Sequence, residues 1–193
     1  ISATLQAQHC EDNAYRTWWD VRHYGYDIRF DIPQQKISGT AFIHAHITQT
    51  GFDTLQIDLK APMQLTAATF NYKSSNVKAI IPIENGYKIA VNMKSLKVKD
   101  SFVLAIDYVG TPKIATHAPW DGGLVIDTIG NQPWWAMAVQ GDGASTWLPC
   151  KDYAGDEPNN GASFRFTYPR HLNLFTNGKQ IEATLEPNGQ KAT

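Results

Sequence analysis

Tyr24-Gly25-Tyr26-Asp27-Ile28-Arg29-Phe30-Asp31-Ile32 is the stretch that decides the fold. Its large apolar side chains alternate with glycine or charged residues, which is the period-two pattern of a strand with one buried face. The same alternation returns over residues 37–47, after a turn at residues 33–36 that contains Pro33. Two strands of this kind joined by a short turn predict an antiparallel hairpin at the start of the domain.

Further strands follow the same rule along the chain. Leu55, Ile57 and Leu59 alternate with Gln56, Asp58 and Lys60, and a later strand alternates Phe102, Leu104, Ile106 and Tyr108. Asn85-Gly86 and Asn177-Gly178 each predict a tight hairpin, because Asn and Gly tolerate positive φ angles. No window repeats apolar residues at helical spacing. The sequence therefore predicts an all-β fold, one large domain of mostly antiparallel hairpins that forms a saddle-like sandwich of sheets over residues 20–193, preceded by a flexible tail at residues 1–19.

Composition excludes two classes of partner. The chain has 193 residues with 17 basic and 18 acidic side chains, a net charge of −1, and no concentrated basic patch of the kind that binds nucleic acid. No apolar run is long enough for a membrane-spanning helix. The charged fraction of 18% is low for a soluble domain, and the small, uncharged opening residues suit the end of a signal peptide. We therefore expect a periplasmic or secreted protein.

Cys10 and Cys150 are the two cysteines, so at most one internal disulfide is possible. Free thiols are favoured over a bridge, because Cys10 lies in the predicted tail. Both alternatives stay open. Neither cysteine has a base placed beside it by the sequence, so neither is predicted to be a nucleophile.

Other polar clusters do not predict catalysis. His44 and His46 share one face of a predicted strand, but no third ligand accompanies them, and a solvated face is favoured over a metal site. Asp152, Asp156 and Glu157 lie among turn-forming residues and are interpreted as loop side chains rather than as a catalytic carboxylate pair. We predict no catalytic residue and no metal ligand in this chain.

Tryptophans concentrate where the regular alternation breaks. Residues 111–160 are rich in Gly and Pro and contain four tryptophans: Trp120, Trp134, Trp135 and Trp147. Irregular segments of this length are more often functional or interface-forming than idle. Tryptophans usually serve cores and interfaces. The alternative is a free-standing carbohydrate-binding or adhesion module that uses these four side chains.

One segment carries a family resemblance. Residues 134–152 contain Gln140 followed by Gly141, Asp142 and Gly143, and end in Pro149-Cys150-Lys151-Asp152. This order resembles the amino-terminal β domain of the aminopeptidase N and leukotriene hydrolase family of zinc peptidases. The opening hairpin and the strand at residues 55–59 are similar to that domain too. Three residues, Tyr153-Ala154-Gly155, intervene before Asp156-Glu157-Pro158, where family members often continue directly.

The resemblance implies a non-catalytic role. The family binds its zinc through H-E-x-x-H in a following domain, and that motif is absent from these 193 residues. The implied cofactor is therefore zinc in a downstream catalytic domain and none in this chain. The implied partners are that catalytic domain and the amino termini of peptides, with Gln140, Gly141, Asp142 and Gly143 as substrate-binding residues. Gln140 would accept a hydrogen bond from the substrate's terminal ammonium.

Overall fold

The structure is a computed structural model that describes residues 13–73, 75–92, 97–118, 120–139, 141–187 and 190–192. These residues form twelve strands and a single 3₁₀ turn at Ala144–Thr146. The strands are β1 Trp19–Asp31, β2 Lys36–Ile47, β3 Thr54–Asp58, β4 Gln64–Asn71, β5 Asn76–Ile83, β6 Gly86–Asn92, β7 Ser101–Gly110, β8 Gly123–Ile129, β9 Gln132–Ala138, β10 Ala162–Pro169, β11 Thr184–Leu185 and β12 Gln190–Ala192. The predicted all-β class is confirmed.

Three sheets build the domain. The large sheet has the order β11-β12-β10-β1-β2-β7-β4, a second sheet has the order β3-β6-β5, and β8 pairs with β9 in a separate hairpin. Pairing is antiparallel except between β1 and β10, which run parallel. The described part of the chain holds no helix with the length and apolarity needed to cross a bilayer.

The core lies between the large sheet and the second sheet, which consists of β3, β6 and β5. The alternating apolar residues predicted for β1, β2 and β7 face inward: Tyr26, Ile28, Ile43 and Leu104 are buried, as are Leu55 and Ile57 on the facing sheet. Side chains on one face of adjacent strands pack together, and this removes them from water. The alternation in the sequence therefore located the buried face correctly.

The packed region begins before residue 20, where the sequence places the start of the domain. Residues 1–12 lie outside the described residues. Within residues 13–19, however, Trp18 and Trp19 are fully buried, and the Trp18 indole donates to the Thr54 carbonyl at 2.9 Å. The end of the predicted tail is thus part of the core, because two large indoles bury apolar surface there.

The two Asn-Gly dipeptides have different outcomes. Ile83 pairs with Gly86, so the predicted hairpin forms around Glu84-Asn85, with Asn85 at a φ of 60°. The hairpin predicted at Asn177-Gly178 is wrong, because residues 170–183, between β10 and β11, contain no strand. Phe175 and Ile181 flank it and are almost fully exposed, so strands there would lack a packing partner.

Glycines allow two close approaches between strands. A Cβ atom on Gly39 would lie 2.1 Å from the Asp27 carbonyl oxygen of β1. On Gly86 it would lie 2.3 Å from the Ile57 carbonyl oxygen of β3. Gly86 is therefore needed for strand packing, whereas the sequence assigned it to the turn.

Candidate functional site

The predicted substrate-binding residues lie between β9 and the 3₁₀ turn. Gln140, the central residue of that prediction, lies outside the described residues. Gly141 and Gly143 have φ angles of 82° and 79°, a region that glycine enters without strain. The Gly143 amide donates to the Val139 carbonyl at 3.2 Å. We refer to residues 141–143 as the contact loop.

Lysines from two other segments hold Asp142. Its carboxylate accepts a hydrogen bond from the Lys113 ammonium at 2.8 Å. Its carbonyl accepts hydrogen bonds from the Lys60 ammonium at 2.5 Å and from the Thr146 hydroxyl at 3.4 Å. Asp142 thus ties the contact loop to the segment after β3 and the segment before β8. The predicted contact of Asp142 with substrate stays a prediction.

Gly143 is required by the carboxylate behind it. A Cβ atom at this position would lie 2.2 Å from Asp152 Oδ2. That same oxygen accepts hydrogen bonds from the Ser145 hydroxyl at 2.6 Å and the Ser145 amide at 3.3 Å. Asp152 therefore fixes the 3₁₀ turn that follows the contact loop, and it does so only because position 143 has no side chain.

A buried ion pair supports Asp152 from below. The Arg16 guanidinium pairs with the Asp58 carboxylate at 2.5 Å, and both side chains are buried. The other Asp58 oxygen accepts from the Asp152 amide at 2.9 Å, while Arg16 donates to the Asp152 carbonyl at 3.1 Å. Burial raises the pKa of the Asp58 carboxyl, although the Arg16 charge acts in the opposite direction.

A second buried ion pair joins Lys151 to Asp156. Their side chains are only 3% and 4% exposed. The Lys151 ammonium donates to the Trp19 carbonyl at 2.7 Å, and Asp156 accepts from the Val21 amide at 3.2 Å. Burial lowers the pKa of Lys151, while its hydrogen bond to Asp156 opposes that shift. The loop interpretation of Asp156 is right for its backbone, but its carboxylate is buried against β1.

Cys150 is buried next to β3. Its backbone bridges to Asp58 through two hydrogen bonds, 2.8 Å from the Asp58 amide and 3.1 Å to the Asp58 carbonyl. Burial raises the pKa of the Cys150 thiol well above its ordinary value. Cys150 is buried and forms no disulfide within the described residues. Cys10 lies outside the described residues, so their pairing stays open.

Two tyrosines of β1 complete the arrangement around residues 149–152. The Tyr24 hydroxyl accepts from the Lys151 amide at 3.0 Å, and the Tyr26 hydroxyl donates to the Pro149 carbonyl at 3.1 Å. Residues 149–152 are therefore hydrogen-bonded to β1 and β3, next to the contact loop. We call residues 149–152 with Arg16, Asp58 and Asp156 the buried polar anchor.

Sequence reasoning missed two members of this anchor. Arg16 falls in the predicted tail, and strand alternation placed Asp58 on the outward face of β3, whereas Asp58 is buried. Their partners are distant in the chain, so no local pattern pairs them. The one available signal was a charged residue beside the apolar run at Leu55, Ile57 and Leu59.

His44 and His46 line an open groove of about 630 Å³ on the outer face of the large sheet. His46 Nε2 lies 3.4 Å from an Asp20 oxygen. Burial lowers the pKa of His44, and the neighbouring His23 adds to that shift. Within the described residues no three His, Cys, Asp or Glu side chains are grouped in a way that could hold a metal ion.

The four tryptophans do not form one exposed platform. Trp135 and Trp147 are half-buried and pack against the core, whereas Trp120 and Trp134 are exposed. Trp135 meets Phe30 edge to face at a centroid distance of 6.2 Å. The four side chains therefore do not form the common surface that the carbohydrate-binding alternative uses.

The fold can be compared with solved structures. The sequence matches no model of a protein family and no curated protein sequence. A mutant two-domain M1 zinc metallopeptidase bound to L-tryptophan is similar with a TM-score of 0.68 at 19% identity, over 95% of this chain and 40% of the other. The chain shares its fold with one part of that enzyme.

Two further solved structures agree with this likeness. An M1 zinc metallopeptidase from Deinococcus radiodurans has a TM-score of 0.65 at 19% identity, over 92% of this chain and 38% of its own. Yeast leukotriene A4 hydrolase has a TM-score of 0.65 at 16% identity, over 100% of this chain and 30% of its own. The chain thus spans well under half of the length of each of these enzymes.

Proposed function

We propose that this chain is the amino-terminal, non-catalytic domain of a zinc metallo-aminopeptidase and that it helps to bind the free amino terminus of a peptide substrate. The observation that carries the proposal is the fold likeness to M1 zinc metallopeptidases over nearly the whole chain and less than half of theirs. Fold alone does not give function, so the site must supply the rest.

The contact loop supplies that second argument. It follows Gln140 directly in the sequence, Asp142 accepts hydrogen bonds from Lys60 and Lys113, and the Asp152 carboxylate lies behind Gly143. A binding residue works best when the surrounding structure fixes its position before the ligand arrives. The buried polar anchor holds the residues that follow Gln140 in the chain, which supports the proposed role of the contact loop in substrate binding.

Gln140 is the residue proposed to meet the substrate. An amide oxygen accepts a hydrogen bond from an ammonium group without the charge assistance of a carboxylate. Its contribution is therefore to orient the substrate's amino end, while bond cleavage belongs to the following domain. The described residues contain no group of three His, Cys, Asp or Glu side chains that could hold a metal ion, and the proposal assigns zinc to the following domain.

The test is the Gln140→Ala variant of the full gene product, assayed on amino-acid anilides and on the same compounds acetylated at the amino group. Loss of one hydrogen bond to a charged group costs about 1.5–3 kcal/mol, so kcat/KM should fall by about 10- to 150-fold on free amines. Gln132→Ala is the matched control, because Gln132 is an exposed glutamine on β9, the strand that precedes Gln140 in the chain. Equal kcat/KM values for the two variants would remove Gln140 from the mechanism.

The absence of zinc and of aminopeptidase activity from the full gene product would defeat the wider proposal. The proposal also places the parent protein in the periplasm or outside the cell, which cell fractionation tests.

The carbohydrate-binding alternative is weakened because Trp135 and Trp147 pack against the core. Saturable quenching of tryptophan fluorescence by oligosaccharides would restore it.

A further inference from the structure

An aromatic strip crosses the inner face of the large sheet at its β10 side. It consists of Phe30 on β1, Trp135 on β9, and Phe164 and Phe166 on β10. The Phe164 and Phe166 rings are nearly parallel, at a centroid distance of 5.5 Å. Phe166 stacks on Phe30 at 6.0 Å, and Phe30 meets Trp135 at 6.2 Å. The four side chains therefore form one continuous apolar row.

The strip extends the core to a place where nothing in the described residues covers it fully. Tyr26 and Phe164 are paired residues of β1 and β10, and their rings stack at 5.2 Å. Tyr26 is only 5% exposed, whereas Phe164 is 41% exposed. Leu185 of β11, across β12 from Tyr168, adds another exposed apolar side chain on this side of the sheet. A row of this kind marks an interaction surface more often than an isolated exposed residue does.

The ring geometry favours a protein partner over a sugar. Phe166 lies between Phe164, at an interplanar angle of 4°, and Phe30, at 24°. Phe166 therefore has an aromatic ring stacked on it from each neighbour, and Phe164 stacks on both Phe166 and Tyr26. Sugars stack on open aromatic faces, while rows of aromatic edges and apolar side chains serve as the anchors of protein interfaces.

The strip is also connected to the proposed substrate site. Trp135 belongs to β9, and β9 leads through Val139 to the contact loop. A domain packed on the strip would thus lie beside the strand that precedes Gln140 in the chain. A catalytic domain must lie close to that residue if Gln140 is to touch the same peptide.

We propose that the aromatic strip is the surface on which the second domain of the same polypeptide docks. This inference rests on the proposed function, and it names the face of the domain through which the two parts meet. The similar two-domain enzyme supplies the reason for choosing this occupant, because this chain covers 40% of its length. A domain of the remaining size has ample surface to cover Phe164, Phe166 and Leu185.

Hydroxyl-radical footprinting tests the inference on wild-type protein. The 193-residue chain and the full gene product are oxidised in parallel, and the oxidation of Phe164, Trp135 and Leu185 is measured by peptide mass spectrometry. We expect several-fold less oxidation of these residues in the full product. Ile81 on β5 is the internal control, because it is half-exposed and belongs to the smaller sheet. Equal oxidation of the strip in both proteins would overturn the inference.

A matched pair of variants gives a second measurement. Phe164→Glu alters the strip, and Phe42→Glu alters the outer face of β2, where Phe42 is 39% exposed. The two side chains have the same chemistry and nearly the same exposure. In the full product, Phe164→Glu should speed proteolytic separation of the two domains several-fold, and Phe42→Glu should not. Equal proteolysis rates would count against docking at the strip.

These readouts are independent of catalysis, so the two proposals can fail separately. A zinc-containing, active full product with an oxidised strip would refute the docking surface and leave the proposed function standing. A protected strip in a full product without zinc or peptidase activity would support docking and refute the proposed function.

Discussion

The Lys151 ammonium lies 2.7 Å from the Trp19 carbonyl and 4.5 Å from the centre of the Trp19 ring, and it pairs with the Asp156 carboxylate. Removing a charge from water is costly, so such a pair is stable only when every remaining hydrogen-bonding group finds a partner. Here the Val21 amide and the Trp19 carbonyl supply those partners. The pair thereby holds the segment after Cys150 against the first strand.

Lys151→Met should therefore destabilise the protein strongly, because it leaves the Asp156 carboxylate buried without its cation. We expect a loss of about 3–5 kcal/mol in the free energy of unfolding, measured by urea denaturation. The exposed pair of Lys78 and Asp53, 3.5 Å apart, is the control, and Lys78→Met should cost less than about 1 kcal/mol. Adding Asp156→Leu to Lys151→Met should recover part of the loss. Similar costs for Lys151→Met and Lys78→Met would contradict this account.

Asp121 gives a prediction about pH. Its Oδ2 accepts from the Thr116 amide at 2.5 Å and from the Thr116 hydroxyl at 2.7 Å. These hydrogen bonds lower the pKa of Asp121 to about 2, and the Thr116 hydroxyl makes the largest contribution. Because the folded pKa lies below the unfolded pKa, the stabilisation is present above the unfolded value and is lost as the pH falls through about 2.

The variant Asp121→Asn should thus differ most from wild type near neutral pH. The difference in the free energy of unfolding should shrink as the pH falls from about 5 to about 2, because the wild-type carboxylate becomes protonated. Urea titrations at successive pH values provide the measurement. A constant difference over that range would show that the charge of Asp121 is not involved.

At the scale of strands, Gly39 sets how closely β2 approaches β1. Its Cβ position lies 2.1 Å from a backbone oxygen of β1, which cannot rotate away as a side chain could. Gly39→Ala should lower the free energy of unfolding by at least about 2 kcal/mol, as overpacking does elsewhere. Gly25→Ala on β1 is the control, since its nearest contact would be an ordinary 3.5 Å. Urea midpoints that do not distinguish the two variants would refute this role of Gly39.

The predictable strands are those with a regular alternation and a local partner. β1 and β2 meet both conditions, whereas β7 has the alternation but pairs with the distant strands β2 and β4. The inward faces of all three strands were predicted correctly. The segment around Asn177-Gly178 meets neither, because a turn signal without buried flanking side chains does not make a hairpin. The parallel pairing of β1 with β10 was beyond prediction, since no short-range pattern encodes a contact across more than half of the chain.

The candidate site was predictable only in part for the same reason. Residues 140–143 and 149–152 could be grouped because they are close in sequence and resemble a known signature. The partners that fix them, Arg16 and Asp58, come from segments whose sequence pattern predicts a tail and an outward-facing carboxylate. Arg16 and Asp58 are buried because other parts of the fold pack over them, and this packing cannot be derived from the local sequence pattern.

At the scale of the whole molecule, Cys150 reports on the junction of the two larger sheets. Its thiol is buried, and burial raises its pKa, so the reactive thiolate is scarce in the folded protein. In a Cys10→Ser variant, Cys150 should resist a thiol reagent in buffer and react fully in denaturant. The free energy of the opening that exposes it should equal that of global unfolding. Fast labelling in buffer would show that the segment at residues 149–152 opens locally, without global unfolding.

The parallel neighbour of β1 has a consequence for synthesis on the ribosome. One side of β1 finds β2 within a few residues, but the other side meets β10 about 138 residues later. At ordinary translation speeds the nascent strand therefore presents an open row of amides and carbonyls for on the order of ten seconds. Throughout that interval the unpaired edge of β1 can pair with a strand of another chain. A chaperone that covers this edge would prevent such pairing.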